Sequence, residues 1–179
     1  MLKRIFSFFI RLSLLAISLV LLFITLVNYD VFGHIYTNEE LEEFSNETAS
    51  VILSDNDTII GKFFNKNRTN ASYNDFPKHL IDALISTEDA RYFEHSGVDT
   101  RSLFRVLFKT ILLSNKRSGG GSTITQQLAK NMYGRSNYGP LTMLVNKTKE
   151  AIQAYRIEKT FNKNEILTLY LNTVSFGEN

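Results

Sequence analysis

From Ile5 to Val27 the chain is apolar apart from Ser7, Arg11, Ser13, Ser18 and Thr25. The length of this run matches the ~20 residues a helix needs to cross a bilayer. Arg11 sits near one end, where its long side chain can snorkel to the interface. Lys3 and Arg4 precede the run, whereas Asp30, Glu39 and Glu40 follow it. The bias of positive charge predicts a cytoplasmic N-terminus, with everything after Asn28 on the outer face. A cleaved leader is the competing reading; the length of the run and the lack of an A-x-A-like site favour a single-span anchor.

With 179 residues, one modest domain can follow that anchor. No Cys is present, which excludes disulfide staples and thiolate metal sites. A net charge of +2 gives no basic surface of the kind nucleic acid requires, so no nucleic-acid partner is expected. Between Ala49 and Phe64, two β-prone runs flank Asp55-Asn56-Asp57 and predict a hairpin. Beyond Phe76 the pattern is helical: one helix with Pro77 at its first position, running through Phe93, one from about Leu141 to Phe161, and one over Asn162 to Asn172. The organisation predicted is an anchor at 1–28, a linker with a β-hairpin at 29–75, and a mostly α domain at 76–179.

The most informative segment is Gly119 to Asn131, GGGSTITQQLAKN. Glycines bring bare backbone N–H groups close to a ligand, and a helix N-terminus adds unpaired donors and partial positive charge. Gly120, Ser122, Thr123, Gln126 and Lys130, with Gln127 and Asn131 beside them, therefore make a candidate phosphate or pyrophosphate surface. The G-K-[ST] ending of a nucleotide P-loop is absent. Taken alone, the glycines and Ser122 read better as a linker and a Ser-capped helix; Gln126, Gln127 and Lys130 on the same side argue for the anion surface.

Two carboxylates are candidates for chemistry. On a helical wheel from Leu80, Glu88 falls inside the apolar arc, with Asp89 at its edge; burial there would desolvate the carboxylate and suit it to proton abstraction. Lys147, Glu150, Ala151, Ala154 and Glu158 share one face of a later helix, a pattern that an exposed Lys–Glu pair also explains. Between them, Asp99 to Ser114 carries Arg101, Arg105 and Lys109 at a spacing of four among Leu and Phe residues from Leu103 to Leu113. It is a candidate for a helix lying in a lipid interface, and a core helix with snorkelling basic residues explains the pattern equally well.

These pieces together resemble the peptidoglycan glycosyltransferase (transglycosylase) family, the module found in class A penicillin-binding proteins and monofunctional transglycosylases. The first motif appears as Glu88-Asp89-Ala90-Arg91-Tyr92-Phe93-Glu94-His95-Ser96-Gly97, and the second as Gly120 to Asn131. The third is Lys147-Thr148-Lys149-Glu150 and the fourth Ile166 to Asn172. The resemblance implies a lysozyme-like helical domain with a small membrane-embedded lobe. It implies polymerisation of lipid II onto a growing glycan strand with release of undecaprenyl pyrophosphate, at the outer face of the cytoplasmic membrane, in contact with membrane lipid and cell-wall synthesis complexes. Glu88 matches the general base and Glu150 the second acidic residue, the candidate ligand for a divalent cation, Mg2+ or Mn2+. Lys130, Lys147 and Arg135 are implied as cations facing the pyrophosphate, and Asp89, Phe93 and His95 as substrate-binding groups. The family's third motif usually opens with Arg-Lys, but Asn146 precedes Lys147 here, so one phosphate contact is expected to be weakened or to be supplied by Lys149 or Arg156. The family continues into a fifth motif beyond Phe176-Gly177-Glu178-Asn179, so the domain is expected to be truncated. A lysozyme-like hydrolase and an inactive glycan-binding anchor remain the rival readings.

Overall fold

The computed structural model describes residues 2–44, 50–56, 59–63, 70–112 and 120–174, with side chains at all of these except 2, 50–53, 59–63, 107 and 109–112. Gly119, Leu113, Ser114 and residues 176–179 thus lie outside the described residues, as do the side chains of Leu107, Lys109, Ile111 and Leu112. The elements run α1 (Leu2–Asn28), α2 (Asn38–Glu42), β1 (Ser50–Leu53), β2 (Ile59–Phe63), α3 (Lys78–Glu88), α4 (Thr100–Leu112), α5 (Ile124–Tyr133), α6 (Thr142–Thr160) and α7 (Lys163–Thr173). The fold is mostly helical, as expected, and β1 and β2 form the predicted antiparallel hairpin, with Val51 opposite Lys62.

Helix α1 is long and apolar enough to cross a membrane, and only 6% of its most apolar stretch is buried. Core helices hide such surface; this one leaves its Phe, Leu and Ile side chains uncovered from Ile5 to Leu26. That is the behaviour of a membrane anchor.

The soluble core gathers where α5 and α7 cross. Ile124 and Leu128 lie one turn apart on α5, and Ile166, Leu167, Tyr170 and Leu171 form the facing stripe of α7. Ile81 of α3, Ile157 of α6, Tyr92 and Leu41 complete it. Both α5 and α7 begin with capping boxes, Thr123 with Gln126 and Asn162 with Glu165, which fix where each helix starts. The cap of α5 is Thr123; Ser122 lies outside the helix.

Two helix boundaries differ from the periodicity. The helix after Pro77 ends at Glu88 and does not continue to Phe93. Asp89 leaves helical space (φ −155°, ψ 69°) because its carboxylate turns inward to accept from the Ile124 N–H at 3.1 Å. Pro77 itself is the N-cap residue and not the first helical one. The helix expected from about Leu141 to Phe161 is α6, which starts at Thr142, after a 3₁₀ turn over Gly139–Leu141, and ends at Thr160.

Helix α6 also fastens the chain between α1 and α2 to the domain. Its buried stripe includes Asn146, Lys149, Glu150 and Gln153, polar residues where a helix normally buries apolar ones. Lys149 Nζ donates to the Phe32 carbonyl at 3.2 Å, and Tyr138 O–H donates to the same oxygen. Arg156 donates to the Ile35 and Tyr36 carbonyls at 3.2 and 2.7 Å and to Asn28 Oδ1 at 2.9 Å. Ile35 and Leu41 are buried beneath this connector. Lys149 and Arg156 are therefore structural cations, and the expectation that one of them replaces the missing arginine before Lys147 does not hold.

Asp99 starts α4: its Oδ1 accepts from the Ser102 N–H at 3.1 Å, and Arg91 donates to its Oδ2. Burial opposes ionisation of Asp99, but the hydrogen bonds from Ser102 and the Arg91 guanidinium outweigh it and hold its pKa down at about 2. Because the folded value lies below the ordinary 3.8, this stabilisation is complete above that pH and disappears as pH falls toward 2. Asp99→Ala is expected to cost ~0.5–2 kcal/mol at neutral pH, the usual worth of a cap. Denaturation of both proteins between pH 5 and 2 (roughly the window in which the linkage acts) should show their difference narrowing with acid; a constant difference would place the effect elsewhere.

Candidate active site

The end of α3, the Gly120–Thr123 loop and α6 enclose two adjoining cavities. The first, about 480 Å³, is lined by Thr87 to Arg91, Asp99, Ser102, Arg105 and the Gly120–Thr123 loop. The second, about 290 Å³, is lined by Glu88, Gln127, Lys130, Arg135, Lys147 and Glu150 among others. Thr87, Glu88, Gly120 and Ser122 belong to both, so Glu88 stands on the shared wall.

Glu88 is exposed, contrary to the desolvated position the helical wheel predicts. It does face the direction the wheel gives, but it occupies the last turn of α3, which borders the two cavities and not the core. One of its oxygens accepts from Gln127 Nε2 at 2.8 Å. Tyr170 O–H donates to Gln127 Oε1 at 3.0 Å, which fixes the amide with its NH₂ toward Glu88. Burial first, and the Glu88 carboxylate second, push the Tyr170 phenol up, so it stays a donor. Sequence reasoning missed Tyr170, although it lies inside the Ile166–Asn172 motif.

The other carboxylates lining the cavities are fully engaged. Asp89 is buried, accepting from Ile124 N–H and facing His95 Nε2 at 3.0 and 3.1 Å. His95 is held in turn beneath the Tyr92 loop, and Phe93 is 61% exposed outside it. Gly97 closes the loop with φ +87°; a Cβ there would meet the Ala154 carbonyl oxygen at 2.7 Å, so no other residue fits. Its own carbonyl accepts from Thr123 Oγ1. The first motif thus clasps the start of α5, and Asp89 and His95 belong to that clasp.

Glu150 is buried on α6 between two cations. Lys147 Nζ lies 2.6 Å from Oε2, and Arg135 Nε and Nη2 each lie 2.9 Å from Oε1. This is not the exposed ion pair that the spacing alone allows. Lys147 also donates to Ser122 Oγ at 2.8 Å, tying the glycine loop to α6. Asn146 exchanges hydrogen bonds with both backbone groups of Ser136, at 3.4 and 2.9 Å. The residue that stands in for the expected arginine therefore holds the loop that delivers Arg135. Lys130 lines the same cavity, is exposed, and has no ion-pair partner among the described residues. Gln126 is buried and returns its Oε1 to the Thr123 N–H at 3.1 Å, so its oxygen serves the helix cap; Asn131 is exposed and lines neither cavity. Arg105, read as part of a lipid-facing stripe, lines the first cavity and donates to Ser102 Oγ at 3.2 Å.

Among the described residues, no group of three or more His, Asp or Glu could hold a metal ion. Glu150 offers a single carboxylate whose oxygens are already taken by two cations, so the residues do not fit a resident divalent ion. They fit an anion: three cations and the open glycine loop face one cavity.

The Transglycosylase family model matches residues 56–179, starting upstream of the motifs. Over 169 residues the chain is 34% identical to penicillin-binding protein 1F of Bacillus subtilis (strain 168), covering 94% of this chain and 23% of that protein. Over 137 residues it is 39% identical to penicillin-binding protein 1A of Vibrio cholerae serotype O1, covering 76% and 16%. Over 108 residues it is 44% identical to the monofunctional glycosyltransferase of Staphylococcus aureus (strain Newman), covering 60% and 38%. The chain spans less than half the length of each of these relatives. Since the family model covers well over half of this sequence, the chain belongs to the Transglycosylase family.

Proposed function

We propose that the chain is a peptidoglycan glycosyltransferase module that polymerises lipid II. One observation carries the reading: of the carboxylates lining the two cavities, Glu88 alone is exposed and keeps one oxygen without a partner among the described residues. It stands between a cationic cavity suited to a donor pyrophosphate and a second polar cavity suited to an acceptor sugar. The acceptor's 4-hydroxyl attacks the donor's anomeric carbon, forming the new C–O bond, while Glu88 takes the hydroxyl proton. The anomeric carbon–pyrophosphate bond breaks, its electron pair leaves with the phosphate oxygen, and Lys130, Arg135 and Lys147 neutralise that charge. A single displacement inverts the anomeric centre. A Mg2+ or Mn2+ ion has a place here only as a counter-ion accompanying the pyrophosphate.

In this reading Asp89, His95, Thr123 and Gln126 position the loop, and Ser122, Gln127 and Glu150 hold the groups that touch substrate. Hydrolysis by an inverting pair requires a second free carboxylate across the cleft. Asp89, Asp99 and Glu150 each have both oxygens engaged, which favours transfer. The positive N-terminal flank of α1 supports an orientation with the N-terminus in the cytoplasm and the cleft on the outer face.

Glu88→Gln preserves the Gln127 contact in shape but removes the proton acceptor. Polymer formation from labelled lipid II should fall by ~10²–10⁴-fold with Tm unchanged. Near-normal turnover by this variant would remove Glu88 from the mechanism.

The cations separate by their partners. Lys130→Ala should weaken lipid II turnover without lowering Tm, since no buried carboxylate depends on it. Lys147→Ala should lower both, because the buried Glu150 then keeps Arg135 alone and loses one charged hydrogen bond, worth ~1.5–3 kcal/mol. Adding Glu150→Gln to Lys147→Ala should recover stability but not activity. Equal Tm losses in both single variants would show that Lys130, too, is structural.

Leu103, Phe104 and Phe108 are 44%, 72% and 60% exposed on α4, which supports its contact with lipid. The chain has no Trp, so Phe104→Trp reports without background. In liposomes containing brominated lipid, its emission should be blue-shifted and quenched, as for a reference Leu14→Trp. Emission typical of water and insensitive to the lipid would place α4 in solvent.

A further inference from the structure

The motif over Ile166–Asn172 has no part in the chemistry proposed so far. Its apolar members pack in the core against α5. Its three polar side chains each have a partner. Thr168 Oγ1 donates to the Asn164 carbonyl at 2.8 Å, and Asn172 exchanges hydrogen bonds with both backbone groups of Ala71 at 3.0 and 2.9 Å. Tyr170 O–H donates to Gln127 Oε1 at 3.0 Å, and this bond leads to the cleft, because Gln127 lines the cationic cavity with Glu88. The Tyr170 ring is buried in the core, so α7 sets where its hydroxyl stands. The Gln127 backbone is fixed in the first turn of α5, its N–H donating to the Thr123 carbonyl at 3.0 Å. Phenol, amide and carboxylate, from α7, α5 and α3, thus form one chain that ends on Glu88 Oε2.

An amide turned by half a rotation keeps its shape but exchanges donor and acceptor. While Glu88 is ionised it selects the NH₂ by itself, since a carboxylate can only accept. Once Glu88 has taken a proton that selection is gone, and a turned amide would accept from the new carboxyl O–H and hold the proton there. The phenol does not change between these states. Its pKa is held up by burial first and by the Glu88 carboxylate second, and burial persists when Glu88 is neutral, so Tyr170 remains a donor to Oε1. We infer that Tyr170 is a positioning residue for the base: it holds the Gln127 amide in one orientation through proton transfer, so that Glu88 can release its proton before the next addition. The inference rests on the proposed role of Glu88. Across the second cavity the carboxylate faces Lys130, Arg135, Lys147 and Glu150. Across the first it faces Asp89, Arg91, Asp99 and Arg105, and among the described residues none of these eight bonds to the Gln127 amide.

The test uses the full chain in nanodiscs and compares it with Tyr170→Phe, which keeps the ring and its packing and removes the hydroxyl. In lipid II polymerisation at neutral pH, kcat should fall by roughly three- to tenfold, the worth of one neutral hydrogen bond, with KM unchanged. The loss should grow as pH is lowered, because more of the base then begins each cycle protonated. In a Gln127→Met background there is no amide to hold, and Tyr170→Phe should cost nothing further. A second measurement needs no turnover. Gln126, Gln127 and Gln153 are the chain's glutamines, so isotope-labelled glutamine gives three side-chain NMR signals, and Gln127→Met identifies one of them. On acidification the Gln127 amide protons should hold their shifts in the unmodified chain and move in Tyr170→Phe. A kcat loss that is the same at every pH, a further loss in the Gln127→Met background, or Gln127 signals that respond alike in both proteins would overturn the inference. A Gln127 signal that moves in Tyr170→Phe alone, in a chain that makes no polymer, would sustain the lock and overturn the enzymatic reading. Polymer formation unaffected by Tyr170→Phe at every pH would do the reverse.

Discussion

The buried polar stripe of α6 is the constraint from which the rest of the arrangement follows. A buried polar group without a partner costs more than most packing interactions return, so each member of the stripe dictates what must come to it. Lys149 requires an acceptor and draws in the Phe32 carbonyl; Asn146 requires a donor and an acceptor and draws in Ser136. Glu150 requires cations and obtains Lys147 from its own helix and Arg135 from the loop that Asn146 holds. Gln153, on the same stripe, is the exception: neither its Nε2 nor its Oε1 has a hydrogen-bond partner among the described residues. One helix face thereby fixes the connector to the membrane, the Arg135 loop, and the direction of the cationic cavity.

Local chemistry in the sequence made much of this legible. The anchor, the hairpin and the start of α5 follow from runs of a few residues, because hydropathy, turn residues and capping boxes act over one or two turns. The order of the motifs identified the family. What periodicity could not give was what stands opposite a side chain. Glu88 points where the wheel says, yet the last turn of α3 borders the cavities, so the expected burial is absent while its place in the cleft is kept. Asp89 was legible as an acid at a helix end, but its partner, the Ile124 N–H, lies in another helix.

The reassignment of Lys149, Arg156 and Arg105 has the same cause. A cation near a motif reads as a ligand for phosphate when only its neighbours in sequence are known. Lys149 and Arg156 find their acceptors more than a hundred residues upstream, in the connector, at separations no local pattern encodes. Arg105 shares a stripe with Arg101, but Arg101 pairs with Glu94 at 3.6 Å on the surface while Arg105 enters the first cavity. The departure at Asn146 looks like a lost charge in the sequence. In three dimensions, a neutral residue that can both donate and accept holds a loop backbone, and the loop supplies Arg135 in place of a neighbouring arginine.

The same connections bear on how the anchor acts. Three charge-assisted hydrogen bonds from Arg156 and one from Lys149 join the end of α1 and its connector to α6. A flexible tether would leave the cleft free to take any attitude to the bilayer. Here the apolar anchor helix and the helix carrying Lys147 and Glu150 share one packed junction, with Val27, Ile35 and Leu41 buried around it. Rotation of α1 would break those bonds and expose those side chains, so the tilt of the anchor sets the tilt of the cleft. A substrate that travels in the bilayer would meet a site at fixed height and orientation. Positioning of that kind removes rotational freedom from the encounter before any group touches the reacting atoms.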